Sequence, residues 1–144
     1  MKVNPIPEGF HTITPYLAVY KVSETIEFLK QAFDAKEIDR HTMPDGRVMN
    51  ATIRIGDSMI MMGERPADQA PSPAMLYMYT EEADKLYQRA IDAGGKSIME
   101  MTDQFYGDRS GAVEDPSGNQ WWLAIHIEDM SDEELMERAK RERG

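Results

Sequence analysis

The sequence predicts an α+β fold of two tandem βαβββ modules followed by a C-terminal helix. Three observations support this: one order of strand and helix patterns occurs twice, a proline-rich segment separates the two runs, and a charged helical pattern ends the chain. We therefore expect a single domain over 1–130, with modules at about 10–63 and 74–127, a linker at 64–73 and a helix over 131–144.

The first module begins with a predicted strand over 11–19, where β-branched and aromatic residues predominate. Apolar residues at helical spacing then predict a helix over 23–35, with Ser23 as its N-cap. The turn "PDG" and the tight hairpin "GD" separate three further strands, predicted at 36–43, 47–55 and 58–63.

The second module repeats this order. A strand over 75–80 precedes a helix over 81–95, which we expect to stop at Gly94. The segment 103–110 is predicted as a loop, and the remaining strands are expected at 96–101, 111–115 and 119–126.

The two halves align directly. Residues 44–62 lie over residues 105–123 without a gap at an offset of 61, which superposes Gly46 on Gly107 and Ala51 on Ala112. This alignment predicts an internal duplication.

The C-terminal pattern opens with a capping box formed by Ser131 and Glu134. Two interpretations are open for this charged helix. It is either a solvated appendage or an element that packs on a dimer partner.

Composition excludes several classes of function. The 16 basic and 26 acidic residues give a net charge of −10, which argues against nucleic acid or an anionic membrane as partner. No cysteine is present, so neither a disulfide, a thiolate metal site nor a cysteine nucleophile is available. The first residues, "MKVNPIPEGF", do not resemble a signal peptide, and no apolar run is long enough to span a membrane. We expect a cytoplasmic protein.

Several motifs together resemble one known superfamily. The segments "ITPYLAV", "FLKQAFDA", "MPDGRVMNATIRIGDS" and "EDPSGNQW" are similar to those of the vicinal oxygen chelate superfamily, also called the glyoxalase/bleomycin-resistance/dioxygenase superfamily, and to its PhnB-like subgroup. The resemblance covers roughly residues 8–130. It implies half-barrel modules that close around a ligand cleft, and it implies a homodimer.

The resemblance also implies four metal-ligand positions, which metal-dependent members fill with His, Glu or Gln. In this chain they fall on Thr14, Met61, Met75 and Trp122. None of these side chains suits a hard or borderline divalent ion. We expect no metal and no other cofactor, with a divalent metal as the less favoured alternative.

The three histidines do not replace these ligands. His11, His41 and His126 are dispersed along the chain and are expected at the surface or at strand edges. No nucleophile–base pair is evident either, so the catalytic residues of an enzyme would be unknown.

With the family geometry, strand alternation gives the cleft an apolar and aromatic lining. Such a lining would either bind an apolar or planar ligand or pack into a small core. Asn50 and Gln104 are candidate hydrogen-bond donors. Arg109 would either hold an anionic group or pair with Asp108, Glu114 or Asp115. The predicted lining residues are Thr14, Tyr16, Met59, Met61, Met75, Tyr77 and Trp122.

The first functional hypothesis is therefore a metal-independent small-molecule-binding protein with an unknown ligand. The alternative is a superfamily enzyme, of lyase, isomerase or dioxygenase type, that acts on a small oxygenated substrate with a divalent metal. A protein with an occluded cleft and a purely structural role is the third.

Overall fold

The computed structural model describes residues 2–143. Met1, the first residue of the predicted domain, and Gly144, the last residue of the predicted C-terminal helix, lie outside the described residues. The first module comprises β1 (Tyr16–Val19), α1 (Val22–Phe33), β2 (Lys36–Thr42), β3 (Val48–Ile55) and β4 (Ser58–Glu64). The second comprises β5 (Met75–Tyr79), α2 (Ala83–Asp92), β6 (Lys96–Asp103), β7 (Asp108–Glu114) and β8 (Gln120–His126), and α3 (Asp132–Arg143) follows. The predicted tandem βαβββ fold with a C-terminal helix is confirmed.

Each module forms its own four-stranded sheet. Sheet 1 has the order β1-β4-β3-β2 and sheet 2 the order β5-β8-β7-β6. In both sheets the first strand is parallel to the last, and the remaining neighbours are antiparallel. The two modules are thus equivalent in topology.

The core lies on the helix side of both sheets. Helix α1 packs on sheet 1, α2 packs on sheet 2, and the two helices pack against each other. Trp121 of β8 is almost fully buried in this core, where its ring centroid lies 5.5 Å from that of Phe33 in α1. The two modules therefore share one hydrophobic core.

The opposite side of each sheet faces away from the helices, and we call it the open face. Because side chains alternate along a strand, the neighbours of core residues point to this side. Large side chains remain exposed there: Tyr16 is 51% exposed on sheet 1, and Met75 and Tyr79 are each 62% exposed on sheet 2.

The start of α1 differs from the prediction. Ser23 is not the N-cap, because the helix already begins at Val22 and is preceded by Lys21 in a left-handed conformation with φ 58°. The carboxylate of Glu64, at the end of β4, accepts a hydrogen bond from the Val22 N–H at 3.4 Å. A side chain from a distant strand thus replaces the local cap.

The gapless alignment of the two halves is correct at the turns and wrong within β3 and β7. Gly46 and Gly107 occupy equivalent turns, with φ of 93° and 96°. Met49 is an extra, bulged residue of β3, so Ala51 pairs with Met62 on the core side while Ala112 pairs with Trp122 on the open face. One additional residue in the hairpin before β8 restores the offset, which is why the sequences align without a gap.

The C-terminal helix is tied to the second module. Ser131 Oγ accepts a hydrogen bond from the Glu134 N–H at 3.2 Å, as its predicted role at the N-terminus requires. Arg138 forms an ion pair with Glu128 at 2.6 Å and also donates to the Phe105 carbonyl oxygen at 3.3 Å. These contacts hold α3 beside the loop that precedes β7. No helix within residues 2–143 has the length and apolar content needed to cross a bilayer.

Candidate functional site

The candidate site lies on the open face of sheet 2. Strand β8 alternates strictly: Trp121 and Leu123 enter the core, whereas Trp122 and His126 lie on the open face. The neighbouring β5 contributes Tyr77 beside Trp122. Tyr79 is the next open-face residue of β5 and pairs with Ala124.

Asp108 is the centre of a hydrogen-bonded cluster on this face. It is the first residue of β7 and is only 4% exposed. The hydroxyls of Tyr77 and Tyr79 both donate to its Oδ2, at 2.7 and 2.8 Å, and His126 Nδ1 lies 2.9 Å from its Oδ1. The other ring nitrogen of His126, Nε2, lies 2.7 Å from Asp129 Oδ1.

The geometry favours a protonated His126. Both ring nitrogens face carboxylate oxygens, which only accept hydrogen bonds, so the imidazolium form satisfies both contacts. The hydrogen bond to Asp108, followed by that to Asp129, raises the pKa of His126 above its ordinary value. Burial by itself raises the pKa of Asp108, but hydrogen bonds from His126, Tyr77 and Tyr79 outweigh it and lower that pKa overall.

The two tyrosines remain protonated donors. Burial, and then the hydrogen bond to Asp108, raises the pKa of the Tyr77 hydroxyl. The hydrogen bond to Asp108 is the main reason that the pKa of Tyr79 is also raised. Neither phenol is therefore poised to lose its proton near neutral pH.

The His126 contacts predict a pH dependence of stability. Because the folded-state pKa lies above the ordinary value of 6.5, the stabilisation is complete below pH 6.5 and is lost as the pH rises through the raised pKa. The free energy of unfolding, measured by urea titration across this range, should therefore fall more steeply for the wild type than for His126→Gln. Parallel curves for the two proteins would contradict the charged pair.

The floor of the face is made of small, buried residues, Ser110, Ala112 and Ala124. Tyr106 lies beside it, with its hydroxyl 3.4 Å from Ser110 Oγ. Side chains that surround a floor of small residues leave room above it, so a ligand would meet mainly aromatic and thioether groups.

The polar groups at the edge of the face are already engaged. The indole N–H of Trp122 donates to Gln120 Oε1 at 3.2 Å, and Gln104 Nε2 lies 3.7 Å from Met99 Sδ. The Gln104 amide N–H, a candidate ligand donor from the sequence, is thus directed to a sulfur atom within the protein.

Comparison with known proteins identifies the family. The model of the Glyoxalase/Bleomycin resistance protein/Dioxygenase superfamily matches residues 9–123. The chain belongs to this superfamily. An uncharacterised protein of Mycobacterium bovis is 29% identical over 146 residues, which cover 94% of this chain and 93% of the relative.

Solved structures agree on the superfamily fold. TioX from Micromonospora sp. ML1 has a TM-score of 0.69 at 18% identity, over 81% of this chain and 99% of TioX. A PhnB protein from Bacillus cereus has a TM-score of 0.60 at 20% identity, over 80% of this chain and 99% of that protein. At these identities the likeness extends to the fold alone.

The residues at the four positions to which the family resemblance assigns metal ligands do not fit a metal. Met61 pairs with Tyr16 on the open face of sheet 1, Met75 and Trp122 lie on that of sheet 2, and Thr14 precedes β1. Their hydroxyl, thioether and indole groups do not form a ligand set for a divalent ion. His126 offers no lone pair while both nitrogens donate, and within residues 2–143 no three His, Asp or Glu side chains are arranged to hold an ion.

The predicted lining residues form two groups rather than one cluster. On sheet 1 the open face carries Tyr16, Met59, Met61 and Asn50, and the Asn50 amide oxygen lies 2.6 Å from His41 Nδ1. The other members, Met75, Tyr77 and Trp122, lie on sheet 2. Within one chain these two groups belong to separate sheets.

Arg109 faces away from the site. The expected loop over 103–110 is wrong at 108–110, which belong to β7, and strand alternation directs Arg109 to the helix side. There it forms a bidentate pair with Asp84 of α2, at 2.9 and 3.0 Å, and contacts Asp103 at 3.1 Å. It is therefore engaged in a salt bridge, with partners other than those proposed from the sequence.

We predict that Arg109→Gln leaves ligand binding unchanged and lowers the free energy of unfolding by only about 0.5–1 kcal/mol, because exposed ion pairs contribute little. Isothermal titration with any ligand of the protein, together with urea denaturation, checks both parts. A large loss of affinity without a loss of stability would return Arg109 to the site.

A separate cavity of about 590 Å³ lies between the β3–β4 hairpin and the β5–α2 segment. Its walls are mainly apolar, and Tyr79, which belongs to the open face of sheet 2, also borders it. Of the predicted lining residues, only Tyr77 borders it. Its largest apolar wall residues are Phe33, Ile55, Ile60, Leu76, Met78 and Trp121.

Sequence reasoning missed the centre of the site. The sequence predicts Asp108 in a loop, and its pattern does not single out Tyr79. His126 is half exposed, as the sequence predicts, and it shares the face of Trp122 by alternation, but its pairing with Asp108 is not evident from the sequence. If the alternation of β7 is extended back to Asp108, this residue falls on the same face as His126, and this pattern could have indicated the cluster.

Proposed function

We propose that the protein is a metal-independent binder of small molecules, and that the open face of sheet 2 forms the ligand-contacting wall. One observation carries the proposal: where related enzymes place metal ligands, this chain has Thr14, Met61, Met75 and Trp122. Exposed aromatic side chains beside Trp122 supply the contact surface that apolar or planar ligands require.

The proposal includes a homodimer. The exposed side chains of both open faces are large and apolar, which favours their burial against a partner. A second copy that covers sheet 2 with its sheet 1 would add Tyr16, Met61 and Asn50 to the cleft. The proposal also includes membership of the PhnB-like subgroup, which the motifs support. It further includes a cytoplasmic location, which the acidic, cysteine-free composition supports.

A ligand screen by thermal shift tests the proposed binding, because a ligand that binds only the folded state raises Tm. Each hit is then titrated against the wild type, Trp122→Ala and Trp121→Phe. We expect Trp122→Ala to weaken binding by about tenfold or more and Trp121→Phe to leave it within about twofold. Loss of binding in Trp121→Phe alone would contradict the assigned face.

The superfamily enzyme with a divalent metal is the second candidate. It is favoured by the ionised Asp108–His126 pair, because acid–base chemistry uses such groups. Elemental analysis of the purified protein, and activity assays on small oxygenated substrates with added Mn, Ni, Zn or Fe, separate the two candidates. A stoichiometric metal that His126→Gln removes would overturn metal-independent binding.

A further inference from the structure

We infer that the open face of sheet 2 selects ligands that carry a protonated amine beside an aromatic or apolar body. This inference rests on the proposed binding function and specifies the ligand class. Three features of the face support it: the direction of the tyrosine hydroxyl protons, the charge of the Asp108 cluster, and the exposed aromatic rings.

The tyrosine hydroxyls act as acceptors toward the ligand. Tyr77 and Tyr79 both donate their single proton inward to Asp108 Oδ2. The Tyr79 oxygen therefore keeps lone pairs for a ligand, whereas the Tyr77 oxygen is also within reach of the Tyr106 and Ser110 hydroxyls. Donation to a carboxylate polarises a phenol and makes its oxygen a stronger acceptor. A ligand group that meets these oxygens must therefore supply the hydrogens.

The nitrogen donors near the face are committed within the protein, and the hydroxyls of Tyr106 and Ser110 lie 3.4 Å from each other. Trp122 donates to Gln120, and the Gln104 amide is directed to Met99 Sδ. Arg109, the arginine next to Asp108 in sequence, lies on the opposite side of the sheet with Asp84 and Asp103. A carboxylate or phosphate would thus find its natural partners already engaged, whereas an ammonium group would find free acceptors.

The charge of the cluster has the same sign. Asp108 and Asp129 contribute two carboxylates, and the imidazolium of His126 between them contributes one positive charge. One net negative charge therefore remains next to the exposed aromatic rings. Asp108 is buried and paired with His126, whereas Asp129 is exposed, so water screens the Asp129 carboxylate more than it screens Asp108.

The aromatic rings complete the arrangement. Tyr77 and Tyr79 lie 5.3 Å apart between ring centroids, and Trp122 pairs with Tyr77 across the strands. Cations are attracted to the faces of such rings, and desolvation strengthens the attraction. Sheet 1 offers no equivalent: at the position of Asp108 its matching turn carries Arg47, which pairs with Asp45.

Three probes that share a phenyl ring and a short chain test the inference: phenethylamine, phenethyl alcohol and hydrocinnamate. Their affinities for the full-length protein are measured by ligand-observed NMR and isothermal titration. We expect phenethylamine to bind about tenfold more tightly than either of the others. Equal affinities for the three probes would overturn the inference and leave the proposed binding function intact. If none of the probes binds, the inference is also overturned, and the ligand screen alone then tests the proposed function.

Variants locate the source of the preference. Asp108→Asn should reduce the amine preference to less than about threefold, since it removes the charge. Tyr79→Phe keeps the ring, Tyr77 and the Asp108–His126 pair, and should weaken the amine without weakening the alcohol equally. This second variant keeps the test decisive if Asp108→Asn fails to fold.

Asp68→Asn is the matched control, because it makes the same change in net charge on an exposed linker residue. It should leave all three affinities unchanged. Two outcomes would show that the preference does not originate at the open face of sheet 2. In the first, both Asp108→Asn and Tyr79→Phe keep the full preference for the amine. In the second, Asp68→Asn loses it to the same extent as they do.

Discussion

Replacing Trp121 with alanine is expected to lower the free energy of unfolding by about 3–5 kcal/mol, whereas the same change at Trp122 should lower it by about 1 kcal/mol or less. The two residues are adjacent and chemically identical. Trp121 is 1% exposed and packs on Phe33 in the core shared by both modules, while Trp122 lies on the open face.

Urea denaturation of the two variants measures the contrast directly. Trp121→Phe serves as the intermediate case: it retains most of the buried ring but loses the N–H that donates to Asp115 Oδ2 at 2.9 Å, so a loss of about 1–3 kcal/mol is expected. Equal destabilisation by Trp121→Ala and Trp122→Ala would contradict the register of β8.

Replacing Asp115 with alanine should be similarly damaging, with a loss of about 3–4 kcal/mol. The buried carboxylate accepts hydrogen bonds at 2.9 Å from the backbone N–H groups of Ser117 and Asn119, from the Asn119 side chain and from the Trp121 indole. Burial raises the pKa of Asp115 even though these four donors oppose the shift. Without the carboxylate, buried donors lose their partner.

The adjacent Glu114 provides the control. It is only partly buried, and Glu114→Gln should change the free energy of unfolding by less than about 0.5 kcal/mol.

Asp115→Ala should also loosen the contact between the modules, because Ser117 in the same turn donates to the Tyr20 carbonyl oxygen and contacts Thr25 at the start of α1. Hydrogen exchange at the α1 N-terminus would report this second effect. Unchanged protection there would limit the role of Asp115 to its own turn.

The sequence predicted features that depend on neighbouring residues. Strand alternation placed Trp122 on the side opposite the core, and the glycines at positions 46 and 107 lie in turns in which φ is positive. The four metal-ligand positions come from the family resemblance and stay a prediction, although the residues there are unsuited to a divalent ion. Local patterns of this kind survive in the folded protein because they follow from backbone geometry.

Features that depend on distant residues were not predictable in the same way. The cap of α1 comes from Glu64, on a strand that adjoins the helix only in the folded chain. The Asp108 cluster combines residues of β5, β7, β8 and the segment after β8, and β7 was predicted to start too late for Asp108 to face Tyr77. Such contacts require the tertiary fold.

The bulge at Met49 has a wider consequence for the history of the chain. Inserting one residue into a strand exchanges the sides to which all the following residues of that strand point. From that position onward, residues that align between the two halves therefore have different surroundings. Ala51 and Ala112 look like a retained pair in the alignment, yet one packs in the core and the other lines an exposed surface. The two alanines therefore do not occupy equivalent positions, and the two modules cannot be exchanged residue for residue even though their topologies match.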